Sequence, residues 1–210
     1  MTLKERYAGV IGWFEANMPV AESELQYKDP YQLLVAVILS AQCTDKRVNM
    51  TTPALFEAYP TPEAMAQATV EEIYAYIKSI SYPNNKARNL AAMARMLCTE
   101  FGGVVPSDLD ALQRLPGVGR KTANLILGDL FGKPAIVADT HCIRISGRLG
   151  LTKSKDPYQV EMDLKKLIAP ADQNDTCHRF VHFGRDICTA RSPKCTACFL
   201  LDICPQGQGK

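Results

Sequence analysis

The chain has 210 residues, of which 47% are hydrophobic and 22% charged, and a formal net charge of +2. This composition excludes a disordered or fibrous protein, and the length suits one large domain or two small ones. The longest apolar stretch, residues 33–39, is too short to span a bilayer, and the N-terminus lacks the pattern of a signal peptide. We therefore expect a cytoplasmic protein with no membrane attachment.

The positive charge is concentrated in two segments of the chain. Residues 112–155 contain eight Lys/Arg against two acidic residues, and residues 176–210 contain five against two. The rest of the chain is therefore net acidic. Two basic segments on an acidic chain are typical of a surface that binds a polyanion, although charge runs are also common on an ordinary solvated surface.

The predicted elements are helical along almost the whole chain. The only strand candidate, residues 135–138, also fits an extended linker. The second helix is apolar nearly all round, so we expect it to be buried on every side. The pattern therefore predicts an all-α fold. Periodicity and capping signals place helices at residues 3–17, 29 or 30–42, from Thr61 onward, 70–79, 84–101, 108–115, 119–131, 140–149, 156–168, and in a last segment leading into Cys188.

Four of the eight cysteines crowd into the C-terminal region. They are spaced C-x6-C-x2-C-x5-C at Cys188, Cys195, Cys198 and Cys204. In a reducing cytoplasm such clusters bind metal more often than they form disulfides. The short spacing lets four thiolates close around one centre. The ligand chemistry leaves two occupants open, a structural zinc ion and a 4Fe–4S cluster.

A glycine-containing turn joins two predicted helices in the string LPGVGRKTA, residues 115–123. Gly117 and Gly119 allow a tight turn and leave backbone N–H groups uncovered at the start of the next helix, where a phosphate can bind. Two glycines alone would equally fit an ordinary corner between helices. The complete string, with Arg120 and Lys121 after the turn, is much more specific.

This string, the segment from Ser40 to Asp45 and the cysteine-rich tail together resemble the endonuclease III family of DNA glycosylases, over nearly the whole chain. The resemblance implies a 4Fe–4S cluster on the four cysteines. It also implies a two-domain helix-hairpin-helix glycosylase fold, with a six-helix domain at residues 23–133 and a cluster domain made of residues 1–22 and 134–210. The expected partner is duplex DNA with damaged bases or abasic sites, bound by a monomer at the nucleoid.

The resemblance further implies a bifunctional enzyme of base excision repair. Such an enzyme removes oxidised or saturated pyrimidines and then cuts the abasic site by β-elimination through a lysine Schiff base. Lys121 is the implied nucleophile. Its amine must be neutral to attack, which burial, the charge of Arg120 and the N-terminal end of a helix would favour. Asp139 is the implied catalytic carboxylate, and it also fits a plain helix cap.

The family also implies a set of DNA contacts. After the damaged nucleotide flips out, the gap is filled by residues that correspond here to Gln42, Tyr82 and His141. The usual Gly-aliphatic-Tyr loop reads Ser81-Tyr82-Pro83 in this chain, so a tyrosine stands at the wedge position. The remaining candidates for contact with the DNA backbone are Gly117, Gly119, Arg120 and Arg144 and, in or beside the cysteine loop, Arg185, Arg191 and Lys194.

Three alternatives remain at this point. A monofunctional adenine or mismatch-thymine glycosylase shares the fold and the cluster, but such relatives resemble this pattern with serine or tyrosine in place of Lys121, and the adenine type carries a further C-terminal domain. A non-catalytic DNA-binding module would use the hairpin with a zinc-binding tail. A redox protein would use the cluster for electron transfer and would leave the hairpin unexplained.

Overall fold

The computed structural model describes residues 1–209, which contain no β-strand, and it confirms the predicted all-α fold. Residues 135–138 form an extended linker whose first three residues are buried. No helix within residues 1–209 is both long and apolar enough to cross a membrane. The α-helices are α1 (Leu3–Asn17), α2 (Pro30–Ser40), α3 (Asp45–Ala58), α4 (Pro62–Gln67), α5 (Val70–Ile77), α6 (Pro83–Phe101), α7 (Leu109–Arg114), α8 (Arg120–Phe131), α9 (Thr140–Arg148), α10 (Pro157–Leu167) and α11 (Gln173–Asp186).

Two differences separate these helices from the predicted ones. Helix α2 ends at Ser40 instead of Gln42, because Gln42 has a left-handed backbone with φ of 53°. Helix α3 was not predicted, since its β-branched threonines and internal Pro53 weaken the helical pattern. Its start does carry a signal in the sequence: the Thr44 side chain accepts a hydrogen bond from the Arg47 N–H at 3.3 Å, as an N-cap residue does.

The chain divides into two compact units. The central unit is Glu24–Phe131 and contains α2 to α8. Helix α2 packs against α3, α6 and α8, while α6 packs against α4 and α5. As predicted for α2, Tyr31 and all residues from Leu33 to Leu39 are at most 5% exposed, so this helix is the core of the unit.

The terminal unit combines Met1–Ser23 with the segment from Gly132 onward, and it contains α1, α9, α10 and α11. An aromatic cluster joins α1 to α11: the Phe14 ring meets those of Phe180 and Phe183 edge-on, at centroid distances of 5.9 and 5.5 Å. Helix α11 also packs against α9. There the buried thiols of Cys142 and Cys177 hydrogen-bond to each other, and this contact and burial raise the pKa of the Cys142 thiol.

Candidate active site and cluster loop

The hairpin between α7 and α8 is held by its two apolar residues. Leu115 and Val118 are buried, and the Val118 N–H donates to the Leu115 carbonyl at 3.0 Å. Gly117 has a φ of 85°, and a Cβ there would lie 3.1 Å from the Asn89 Cβ and 3.3 Å from the Ile38 Cγ2. Glycine is therefore required at 117 by both the backbone and the packing.

Gly119 is a different kind of glycine. It has no positive φ, and a Cβ built there would meet no atom within 4 Å. Its carbonyl accepts from the Ala123 N–H at 2.9 Å, which closes the first turn of α8. A side chain at this position would therefore meet no protein atom. It would occupy open space beside the exposed start of the helix.

Lys121 lies in this first turn of α8, and its side chain is exposed. The expectation that Lys121 is buried is therefore wrong for the free protein. Within residues 1–209, the Lys121 amine makes no hydrogen bond and no ion pair. The preceding residue, Arg120, is half-buried and begins the helix. The amine therefore stands unengaged beside a cation and the positive end of a helix dipole.

Gln42 and Tyr82 share an unusual backbone conformation. They are the only non-glycine residues with positive φ in the described part of the chain, at 53° and 55°. Both side chains are exposed, Tyr82 to 63%. Tyr82 also precedes Pro83, and a residue before proline ordinarily avoids helical conformations. Each of these backbones costs on the order of 1–3 kcal/mol and persists only where its surroundings fix it.

Asp139 is half-buried in the terminal unit and caps α9. Its Oδ1 accepts a hydrogen bond from the Cys142 N–H at 2.7 Å. The plain capping role expected for Asp139 is thus present, and it fixes the orientation of the carboxylate.

His141 and Arg144 lie on the first turns of α9 and contact each other, with 3.1 Å between the His141 Nδ1 and an Arg144 guanidinium nitrogen. The Arg144 guanidinium also donates to the carbonyls of Gly184 and Cys188, at 3.1 and 3.3 Å. Arg144 therefore ties α9 to the end of α11. The guanidinium expected to contact DNA is engaged within the protein, and it orients the His141 ring.

The four clustered cysteines line one cavity. Its walls are largely apolar, and two N–H groups face the sulfurs: Arg148 donates to the Cys188 Sγ at 3.3 Å, and the Gly207 N–H to the Cys204 Sγ at 3.4 Å. Burial raises the pKa of the Cys198 thiol, and the three other thiols act in the same direction because they are close. Four convergent sulfurs, N–H donors and an apolar shell fit an iron–sulfur cluster.

This cysteine loop also presents positive charge. Arg185, Arg191 and Lys194 are exposed in the terminal unit, on or beside the loop. The loop itself contains only two short 3₁₀ turns, Cys195–Ala197 and Leu201–Ile203. Its conformation therefore depends on the four cysteines more than on regular secondary structure.

One buried cation of the central unit was not predicted from the sequence. Lys86 is only 6% exposed, and its ammonium donates to the carbonyls of Leu39 and Ala41, at 2.8 and 2.6 Å. A signal for its burial is present in the sequence: Lys86 lies on the apolar stripe of α6, four residues before Leu90.

Comparison with known proteins places this architecture in a known class. Residues 35–170 match the family model described as HhH-GPD superfamily base excision DNA repair protein. Residues 188–204 match the model of the iron-sulfur binding domain of endonuclease III. The fold and both motifs thus define an iron–sulfur base excision DNA glycosylase.

Related sequences and solved structures give the family. Endonuclease III of Bacillus subtilis (strain 168) is 47% identical over 191 residues, which are 90% of this chain and 87% of that protein. Endonuclease III of Escherichia coli (strain K12) is 43% identical over 189 residues, covering 90% and 89%. A trapped endonuclease III–DNA covalent intermediate matches 100% of this chain and 99% of its own with a TM-score of 0.94 and 42% identity. The chain belongs to the endonuclease III family.

Membership decides between the alternatives left open by the sequence. The protein is a bifunctional DNA glycosylase and abasic-site lyase of base excision repair, as the resemblance implied. Its cofactor is a 4Fe–4S cluster and not zinc, and the matching iron-sulfur domain model covers residues 188–204, the range of the four cysteines. A thermostable thymine-DNA glycosylase is only 24% identical over 99% of this chain and 98% of its own, with a TM-score of 0.84, and shares the fold alone.

Proposed function

We propose that this enzyme removes oxidised or saturated pyrimidines from duplex DNA as a monomer at the nucleoid, with Lys121 as its nucleophile. The observation that carries the proposal is the Lys121 amine, which is exposed and without a partner in residues 1–209, directly after the hairpin. DNA that covers the hairpin would exclude water from this amine.

The reaction takes place between the Lys121 Nζ and the sugar carbon C1′. The neutral Lys121 Nζ attacks C1′, and the base leaves with the electrons of the glycosidic bond and takes up a proton. Opening of the sugar ring gives a Schiff base between Nζ and C1′. Loss of a proton from C2′ then expels the 3′ phosphate by β-elimination, and water hydrolyses the Schiff base to release the lysine.

We assign Asp139 the carboxylate role in this reaction. Its cap bond to the Cys142 N–H uses Oδ1 and leaves Oδ2 able to accept a proton or stabilise positive charge on the sugar. The capping bond holds the side chain in one orientation, so the two roles support each other. In this reading Asp139 is a catalytic carboxylate that also begins α9.

The proposed DNA contacts divide into gap filling and backbone binding. Gln42 and Tyr82 are exposed and conformationally fixed, which suits side chains that enter the space left by a flipped nucleotide. His141 is the third candidate, oriented by Arg144. Backbone phosphates would meet the N–H groups of the first turn of α8 after Gly119, together with Arg120 and the exposed cations of the cysteine loop, while Gly117 shapes the turn.

Borohydride trapping tests the nucleophile. The protein is mixed with a duplex that contains one abasic site, and borohydride reduces any Schiff base to a stable covalent complex, seen as a shifted band. We expect the wild type to trap and Lys121→Ala to lose trapping by on the order of 10³-fold or more. Lys78→Ala, which removes another exposed lysine of the central unit, should trap like the wild type.

Two outcomes would contradict the proposal. If the wild type binds the abasic duplex but does not trap, the lyase mechanism is wrong. If Lys121→Ala still traps, another amine is the nucleophile. The substrate class is tested separately, with duplexes that contain one dihydrouracil or one undamaged thymine, and release of the undamaged base at a similar rate would exclude specificity for saturated pyrimidines.

A further inference from the structure

Lys86 is a buried cation whose charge is matched by no carboxylate. Its ammonium has two hydrogen-bond acceptors in residues 1–209, the carbonyl oxygens of Leu39 and Ala41. Burial lowers the pKa of the ammonium, and the nearby Cys43 thiol acts in the opposite direction. Burying a cation among neutral groups is costly, and an apolar side chain of similar length would avoid this cost. The position therefore calls for an explanation beyond packing.

The two carbonyls lie where α2 ends without a glycine cap. Helix α2 stops at Ser40, and Ala41 turns out of it with φ of −56° and ψ of 114°. The last carbonyls of a helix need donors from elsewhere. The Ser40 hydroxyl donates to the Val37 carbonyl, and the Cys43 N–H donates to the Ser40 carbonyl. The Lys86 ammonium donates to the carbonyls of Leu39 and Ala41. A cation is also favoured at this negative end of the helix dipole.

The Ala41 carbonyl belongs to the peptide group that directly precedes Gln42. The orientation of this peptide plane helps to define the Gln42 φ angle. Fixing the plane therefore restrains φ at its unusual value of 53°. The Lys86 side chain thus bonds to the peptide beside a strained, exposed residue. The Lys86 backbone N–H also donates to the Tyr82 carbonyl at 3.2 Å, but this is the first hydrogen bond of α6, which any residue at 86 would make.

We propose that Lys86 is a positioning residue that holds Gln42 in the conformation from which it enters the gap in damaged DNA. The inference rests on the proposed gap-filling function of Gln42. The Lys86 side chain does not reach the DNA itself. Its effect is to hold the left-handed backbone at 42, so that no ordering cost falls on the step in which the nucleotide flips.

The test compares binding of two duplexes, one intact and one with a tetrahydrofuran abasic-site analogue, by holoenzyme variants. The ratio of the two dissociation constants measures gap filling. For Lys86→Met we expect unchanged affinity for the intact duplex and a roughly tenfold loss of this ratio, the effect of losing charged hydrogen bonds. Gln42→Ala and Tyr82→Ala should lose the ratio too, and adding Lys86→Met to Gln42→Ala should cost less than the sum of the two.

A structural control separates positioning from stability. Leu90→Ala removes a fully buried side chain one turn further along α6, so it destabilises the same helix without touching either carbonyl. This variant should keep the wild-type ratio. If Lys86→Met does not fold, Lys86→Gln, which retains one donor, is measured in its place and should also lose the ratio.

The outcomes distinguish the two proposals. If the wild type prefers the abasic duplex and Lys86→Met or Lys86→Gln keeps that preference, the positioning role is wrong while the proposed function stands. The positioning role is equally overturned if Leu90→Ala loses the ratio as much as Lys86→Met does. If Gln42→Ala keeps the preference, gap filling by Gln42 fails, and the inference fails with it.

Discussion

The central unit and the cysteine loop of the terminal unit are stabilised by different means. In the central unit, α2 buries eight of its eleven residues, and apolar side chains of the surrounding helices complete the core. In the terminal unit, the cysteine loop from 188 to 209 buries one residue, Leu200. Burial of one leucine contributes about 2 kcal/mol, which cannot order a segment of this length. The first unit is thus built by hydrophobic burial, while the loop of the second requires its cluster.

This difference separates the two parts of the proposed chemistry. Lys121, Gln42 and Tyr82 belong to the unit whose fold needs no cofactor, and Asp139 and His141 belong to the unit that carries the cluster. Damage to the cluster should therefore spare the local structure around the nucleophile. It should affect the loop cations Arg185, Arg191 and Lys194 most directly.

The largest effect is expected from removing a cluster ligand, which should destabilise the cysteine loop and leave the central unit folded. Metal ligation by four cysteines contributes on the order of 10 kcal/mol to folding in small structural sites, several times the burial of Leu200. We expect Cys195→Ser to lose the absorbance at about 400 nm that an iron–sulfur cluster gives. Amide hydrogen exchange should accelerate strongly in residues 188–209 and remain slow in α2 and α6.

Cys98→Ser is the matched control for this experiment. Cys98 is a half-buried free thiol of α6 in the central unit, so its replacement should leave both the colour and the exchange of the loop unchanged. The contrast between the units is wrong if Cys195→Ser speeds exchange in α2 as much as in the loop, because the central unit would then depend on the cluster for its stability.

A smaller effect, confined to the central unit, is expected at the two hairpin glycines. Gly117→Ala places a side chain at φ of 85° and against Asn89 and Ile38, which should lower the free energy of unfolding by about 1–3 kcal/mol. Gly119→Ala meets open space, so its stability should change by less than about 1 kcal/mol, while the new methyl group obstructs phosphates near the helix start. Chemical denaturation and DNA-binding titrations would separate the two. Equal loss of stability in both variants would refute the distinction.

The hairpin also shows what the sequence can and cannot predict. The string around Gly117 and Gly119 predicted the turn, and cap residues such as Asp139 predicted the start of α9, because these signals depend on neighbours in the chain. Helix α3 escaped detection, since Pro53 and its polar residues hide a face that is buried only by the tertiary fold. Lys86 escaped for a related reason: its two carbonyl partners lie 47 and 45 residues away.

The exposure of Lys121 marks a similar limit. A catalytic lysine was expected to be buried, yet the chain alone leaves it exposed. The environment that the chemistry needs would be completed by DNA, which no local pattern of the sequence describes. Motifs therefore predicted which residues belong to the site, while the surroundings that adjust their reactivity come from long-range packing and from the substrate.

The smallest predicted effect compares a feature that the two units share, a capping box on an exposed helix. Glu72 lies in the first turn of α5 in the central unit and accepts from the Thr69 N–H at 2.8 Å. Glu5 lies in the first turn of α1 in the terminal unit and accepts from the Thr2 N–H at 2.7 Å. The backbone hydrogen bond lowers the pKa of each carboxyl below its ordinary value of 4.5. A lowered folded-state pKa means that the stabilisation is present above pH 4.5 and is lost as the pH falls through the folded value.

Glu72→Gln and Glu5→Gln should therefore exchange their first-turn amides slightly faster than the wild type at pH 7, and the difference should diminish as the pH falls through the lowered folded-state pKa of each wild-type carboxyl. Because the box is local, each variant should affect its own helix and not the other. Hydrogen exchange of α1 and α5, corrected for the intrinsic pH dependence of exchange, measures both. A difference that persists unchanged at low pH would mean that the charge of the carboxylate does not contribute to the cap.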